Sequence, residues 1–272
     1  MIHKRTHATL QVPVPNCNTH QPHLSLMRSK GSKIQQTQQT PIIHDHCETG
    51  DNPGKNNLRI LIVNLQRLEN KTAEFSAYLE YTKPDVVCAT ESWLTGVKPG
   101  KTPTTNSKKD SEVFSPNFRA YRNDRGTFGG GVFVLVHEDL VLCEQPEFVT
   151  DCEVVWAKIK LKGNRDLYIA SFYMPHRKLD SLNNLDTSLQ HLSDKNRDVI
   201  VCGDLNCPDI DWETGIVPPG ASDRSVQERL VKIAGKHHLT QIRNLPTRTG
   251  SHLDLVFTTN PTISQHPRPL RP

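Results

Sequence analysis

Three short apolar runs each end in an acid or an amide. Asn64 follows Ile60-Leu61-Ile62-Val63, Glu91 follows Val86-Val87-Cys88-Ala89-Thr90, and Asp204-Leu205-Asn206 follow Val199-Ile200-Val201-Cys202-Gly203. Ligand sites in layered α/β folds gather at the carboxyl ends of strands. If these runs are neighbouring strands, two carboxylates and two amides meet on one rim, an oxygen donor set that suits Mg²⁺. Such an ion would neutralise phosphate oxygens and lower the pKa of a bound water, while Asp204 oriented or deprotonated that water. Singly, each acid serves equally as a turn or helix N-cap residue; the combination is what points to phosphoryl chemistry. His176-Arg177 suit a phosphate contact, since Arg grips phosphate bidentately, and equally suit a solvated surface pair.

The elements that must position these groups follow from periodicity. Leu58–Val63 and Asp85–Thr90 are short, nearly continuous apolar runs, as in strands buried on both faces. Between them Leu68, Phe75, Tyr78 and Leu79 fall at helical spacing and stop before Pro84. Further strands are expected at 131–136, 154–161, 167–173 and 199–202. Helices are expected around Leu182, Leu185, Leu189 and Leu192, and around Leu230, Ile233 and Ala234. Residues 96–117 lack any period and read as a long surface loop, where Lys108, Lys109, Arg122 and Arg125 nearby offer a basic rim. The mixture implies facing sheets with helices outside.

The chain has 272 residues, 35% hydrophobic, with no apolar run approaching the roughly 18 residues of a membrane span. The basic N-terminus has no apolar h-region behind it, so an intracellular protein that is not secreted is expected. Seven scattered cysteines imply reduced thiols rather than a disulfide framework. Residues 1–57 carry six Lys/Arg against three Asp/Glu, leaving the rest of the chain almost neutral despite a net charge of +4. Any phosphate-binding surface must then be a local patch. Rich in Gln, Thr, Pro, His and Ser, residues 1–57 are expected to be a disordered polar segment. A domain is expected over 58–260, with a Pro-rich tail over 261–272.

The motifs resemble the endonuclease/exonuclease/phosphatase superfamily, and specifically the apurinic-endonuclease-like domain of LINE-type non-LTR retrotransposons. The resemblance rests on Asn64 with Leu68-Glu69-Asn70-Lys71, Thr90-Glu91-Ser92-Trp93-Leu94, Gly129-Gly130-Gly131-Val132-Phe133, Tyr173-Met174-Pro175, Gly203-Asp204-Leu205-Asn206-Cys207-Pro208-Asp209-Ile210-Asp211-Trp212 and Leu253-Asp254-Leu255-Val256-Phe257-Thr258. It implies a four-layer α/β sandwich, two packed and mainly antiparallel sheets flanked by helices. It also implies Mg²⁺-dependent (or Mn²⁺-dependent) hydrolysis of a DNA phosphodiester that nicks one strand to leave a 3′-hydroxyl, in a nucleus, with a reverse transcriptase region on a separate or lost segment and no membrane partner. By position, Glu91 resembles the metal ligand and Asn64 its neighbour. Tyr173 resembles the tyrosine near the scissile phosphate, Asp204 the residue that handles water, Asn206 a phosphate-binding amide, and Asp254 the acid that holds a histidine.

That histidine belongs to a Ser-Asp-His motif, which is absent between Pro261 and Pro272. The expectation is a missing C-terminal strand, an unpaired sheet edge and weak or absent turnover. His252 shares a strand face with Asp254 by the i, i+2 rule and is the candidate substitute base. Two rival functions stand beside the endonuclease: an inositol-phosphate or lipid phosphatase of the same superfold, and a non-catalytic remnant that binds nucleic acid or a partner.

Overall fold

A computed structural model describes residues 7–13 and 57–265, apart from 127–128, 141, 145–147, 149, 162–164, 193–196, 244–253 and 263. In chain order the elements are β1 (His7–Pro13), β2 (Asn57–Asn64), α1 (Thr72–Thr82), β3 (Val86–Thr90), α2 (Asp110–Val113), β4 (Phe118–Asn123), β5 (Val132–His137), β6 (Leu142–Glu144), β7 (Glu153–Leu161), β8 (Arg165–Tyr173), α3 (Leu179–Gln190), β9 (Arg197–Asp204), α4 (Arg224–Lys236), β10 (Thr240–Gln241), β11 (Asp254–Thr258) and β12 (Ser264–Gln265). They form two six-stranded sheets, β12-β1-β2-β3-β5-β4 and β10-β11-β9-β8-β7-β6. In each sheet one pair is parallel, β2 with β3 and β8 with β9, and the other pairings are antiparallel.

The continuous apolar runs reflect burial from both sides. In β2, Ile60 and Ile62 join the core between the sheets, whereas Leu61 and Val63 meet Phe75 and Leu79 of α1. On the far side, Trp156, Phe172 and Val201 pack under Leu182, Leu185 and Leu189 of α3 and Leu230 and Ile233 of α4. Helix, sheet, sheet, helix is therefore the layer order, the four-layer sandwich that the motifs imply. Among the described residues no helix is long and apolar enough to cross a membrane.

Reading residues 1–57 as unstructured needs correction at its N-terminal end. His7–Pro13 runs antiparallel to β2, with Leu10 opposite Ile60 and Val12 opposite Leu58. Leu10 and Val12 are buried while Thr9 and Gln11 are half-buried, the two-residue alternation of a strand. Four alternating residues amid polar, Pro-rich sequence are too short a signal to stand out. Ser264–Gln265, within the expected Pro-rich tail, pair with β1 in turn. Together β1 and β12 cover the flank of β2, so β2 is not an unpaired edge. The loop over 96–117 also contains α2, followed by Phe114, whose ring meets Phe133 edge-on at 4.9 Å.

The α3–α4 seam is tied by one acid. Asp186, buried on α3, accepts from Arg229 Nη2 (2.8 Å) and Lys236 Nζ (2.8 Å) of α4 and pairs with His237 Nε2 (2.6 Å). Burial pushes its carboxyl up, but the bonds from Lys236, His237 and Arg229 outweigh it and hold the pKa at about 2. A pKa below the unfolded value contributes stability above pH 4 that is lost as pH falls from 4 towards 2. Asp186→Ala is expected to cost about 2 kcal/mol, because Arg229, Lys236 and His237, all partly exposed, lose the charged acceptor they share. Chemical denaturation checks this, and a loss below about 1 kcal/mol would contradict it.

Candidate active site

The parallel pair at the heart of each sheet sends its carboxyl ends to the same rim. Asn64 ends β2 beside Thr90 of β3, which leads into Glu91. Tyr173 ends β8 beside Asp204 at the end of β9, and Asp254, the first residue of β11, lies directly opposite Asp204 in antiparallel register. One side chain joins the sheets: Asn64 Nδ2 donates to Glu91 Oε1 at 2.9 Å and to Asp204 Oδ2 at 3.2 Å. Its Oδ1 accepts from the Gln66 amide at 3.2 Å. Nearby, Ser171 Oγ donates to the Ala89 carbonyl at 2.9 Å, a second tie between the layers.

The loops that carry the rim are held by backbone. Arg67 N donates to the Glu91 carbonyl (2.9 Å), Leu68 N to Ser92 (2.9 Å) and Ser92 N to Gly131 (3.1 Å). Glu91 and Asn206 themselves sit at φ +54° and +50°, conformations that cost on the order of 1–3 kcal/mol each and that the surrounding bonds must hold. Gly203, at φ +141°, lies so close to β8 that a Cβ would stand 2.0 Å from the Phe172 carbonyl oxygen. No side chain fits there. Asn206 donates from its backbone to Asp204 Oδ1 (3.2 Å) and from Nδ2 to the Met174 carbonyl (3.0 Å), fixing both residues of the turn.

Three carboxylates share this space, and their electrostatics show it. Burial, followed by the charges of Asp254 and Glu91, raises Asp204 to about 8, against the lowering effect of the Asn206 and Asn64 donors. Burial, Glu91 and Asp204 push the Tyr173 phenol up to about 12. The phenol therefore stays protonated near neutrality and is a hydrogen-bond donor. Glu91 and Asp204 are hard oxygen donors whose mutual repulsion a divalent cation would relieve, and Asn64 stands between them with its Nδ2 on both and its Oδ1 on the Gln66 amide. Among the described residues no group of three or more His, Cys, Asp or Glu side chains forms a complete cage. The set fits Mg²⁺, which is commonly held by one or two carboxylates with water and phosphate in its remaining positions.

Beside the rim lies a groove of about 940 Å³ lined by Lys98, Lys101, Arg125, Glu153, His176 and Lys178 among others. Arg125, expected as part of a basic rim, instead pairs with Glu153 at 2.5 Å, with Glu153 Oε2 accepting from Gly131 N at 2.6 Å and the Arg125 guanidinium 5.5 Å from the Tyr173 ring centre. Glu153 was not signalled by the sequence, because a lone Glu opening an alternating strand carries no motif. His176 lines the groove, while Arg177 turns to Asp223 at 3.3 Å. His252 lies outside the described residues. Arg122 is buried against Asp124 and Asp110 rather than forming a basic rim. Trp212 packs edge-on against Phe257, Trp93 lies under Arg67, and Cys202 and Cys207 are buried thiols.

Residues 167–270 match a family model described as endonuclease-reverse transcriptase. Among solved structures, the endonuclease domain of TRAS1, a telomere-specific non-LTR retrotransposon, aligns with a TM-score of 0.54 at 20% identity, over 74% of this chain and 85% of that one. An AP endonuclease from Leishmania major, LMAP, aligns with a TM-score of 0.53 at 13% identity, over 74% and 79%. The chain has the endonuclease/exonuclease/phosphatase fold. The matching family model and the fold both agree with the resemblance read from the motifs. No curated protein sequence matches the chain.

A carboxyl raised above its unfolded value costs stability once pH climbs past that value, so the metal-free protein should weaken as pH rises from about 4 towards 8. Asp204→Asn removes the penalty. Its thermal midpoint without metal is expected to exceed the wild type's by several degrees at pH 8.5, at about 2–4 °C per kcal/mol, and by little at pH 4. Midpoints that coincide at pH 8.5 would contradict the crowded-carboxylate reading.

Proposed function

We propose that this protein is a Mg²⁺-dependent DNA endonuclease that hydrolyses one phosphodiester to leave a nick with a 3′-hydroxyl. The carrying observation is the Asn64 amide joining Glu91 of one sheet to Asp204 of the other, with Tyr173 and Asn206 at the same rim. The family model's description supports this reading, as does the likeness in fold to the endonuclease domain of TRAS1, a telomere-specific non-LTR retrotransposon.

Glu91 and Asn64 would hold the cation, which when bound neutralises phosphate oxygens and lowers the pKa of its water. Asp204 is placed to take the proton of the attacking water. Its raised pKa suits a base that works near neutrality. Water adds to phosphorus as its proton passes to Asp204, and the bond from phosphorus to the 3′-oxygen breaks; that oxygen takes a proton from solvent to become the 3′-hydroxyl, and the phosphate stays on the 5′-oxygen of the next nucleotide. The Tyr173 hydroxyl and the Asn206 amide are the donors available to the phosphate. The groove, with Lys98, Lys101 and Lys178 on its lining, gives the flanking sugar-phosphate backbone a cationic path. A chromosomal substrate places the activity in the nucleus as part of the same proposal.

The test is nicking of supercoiled plasmid by the purified protein in Mg²⁺ and in EDTA. Mg²⁺-dependent nicking is expected, reduced at least a hundredfold in Asp204→Ala and in Glu91→Ala. No nicking by folded protein would favour a non-catalytic remnant, and phosphate release from an inositol phosphate without nicking would favour the phosphatase.

A further inference from the structure

Arg243 lies two residues beyond β10 on the flank of β11, where Ile242 N donates to the Val256 carbonyl (2.9 Å) and Gln241 Nε2 to the Arg243 carbonyl (2.7 Å). These bonds extend the β10–β11 pairing and hold the Arg243 backbone against the strand that begins with Asp254. The side chain is only 5% exposed, and its Nη1 stands 4.0 Å from Asp254 Oδ2. That nitrogen is shielded from solvent and makes no hydrogen bond among the described residues. Asp254 sits directly opposite Asp204 in the β11–β9 register.

Burying a guanidinium with an unmade hydrogen bond is costly, and an apolar side chain could fill the flank of β11 without that cost. The seam between α3 and α4 shows how this chain satisfies buried charges where only structure is served: Asp186 there has three close partners. Arg243 instead sets a fixed positive charge behind the acid that faces Asp204. An arginine keeps that charge at every working pH, which an imidazole in the same place would not.

We propose that Arg243 is a positioning residue for the hydrolysis: its guanidinium orients the Asp254 carboxylate opposite Asp204 and offsets its charge, so that Asp204 can serve the attacking water. The proposal rests on the endonuclease reading above.

The experiment is plasmid nicking at saturating DNA by Arg243→Gln, Arg243→Lys, Asp254→Asn and the Arg243→Gln/Asp254→Asn double variant, alongside thermal midpoints and DNA affinity measured in Ca²⁺. Arg243→Gln is expected to lower kcat about a hundredfold while changing DNA affinity less than threefold, and Arg243→Lys to recover at least tenfold. The double variant should be no slower than Asp254→Asn alone, because both changes remove one unit. Arg243→Gln within threefold of the wild type, or losses that multiply in the double variant, would overturn the proposal. So would a loss that Arg243→Lys restores only in thermal midpoint and not in rate. A wild type that nicks nothing removes the endonuclease reading and this proposal together, whereas a wild type that nicks beside an equally active Arg243→Gln removes this proposal alone.

Discussion

The two amide hydrogens of Asn64 reach a carboxylate on each sheet, and the crowding they relieve governs the whole rim. Asn64, Glu91 and Asp204 converge because each sheet places one parallel strand pair at its centre with its carboxyl ends at this rim, and Asp254 joins them at the amino end of antiparallel β11. Burial, followed by the charges of Asp254 and Glu91, pushes Asp204 towards its protonated form. The fold accepts that destabilisation. It compensates with a large apolar interior between and outside the sheets, and with backbone bonds that hold Glu91 and Asn206 in left-handed conformations. A site built this way is electrostatically loaded before any ligand arrives, an arrangement that a divalent cation would discharge.

Much of this was legible in the sequence because burial writes itself into composition. Strands covered on both faces read as continuous apolar runs, and a polar residue closing such a run marks a strand end. Asn64, Glu91 and Asp204 were visible on those grounds alone. Tyr173 and Asp254 were reached only through the family resemblance, since neither interrupts its run in a way that residue type would single out. Glu153 and Arg243 were invisible for a different reason, and Arg125 was read only as part of a basic rim. Their roles depend on which loops meet across the sandwich, and a single charged residue in a loop or an alternating strand looks like a solvated one. Arg122 illustrates the converse, a basic residue read as a surface contact that the fold buries between two aspartates.

The N-terminal strand shows how short a segment can matter to the sheet. Leu10 and Val12 enter the core between the sheets, and the register places the start of β1 at the end of β2 where Asn64 stands. A sheet edge left bare at that point would leave the strand that carries Asn64 open to fraying or to pairing with another chain. His7, opposite Val63, therefore begins the strand that braces the end of β2 that carries Asn64. The imidazoles whose contacts are described serve elsewhere: His137 with Asp139, His191 against Phe148, and His237 with Asp186. Charge balance around Asp254 is met instead by an arginine.

Anomalous diffraction from crystals soaked in Mn²⁺ tests the central claim most directly. The account predicts one strong peak within about 2.0–2.3 Å of the Glu91 carboxylate, on the side facing Asp204, and its loss in Glu91→Gln crystals. A peak elsewhere on the protein, or none while Glu91 and Asp204 keep their places, would contradict it.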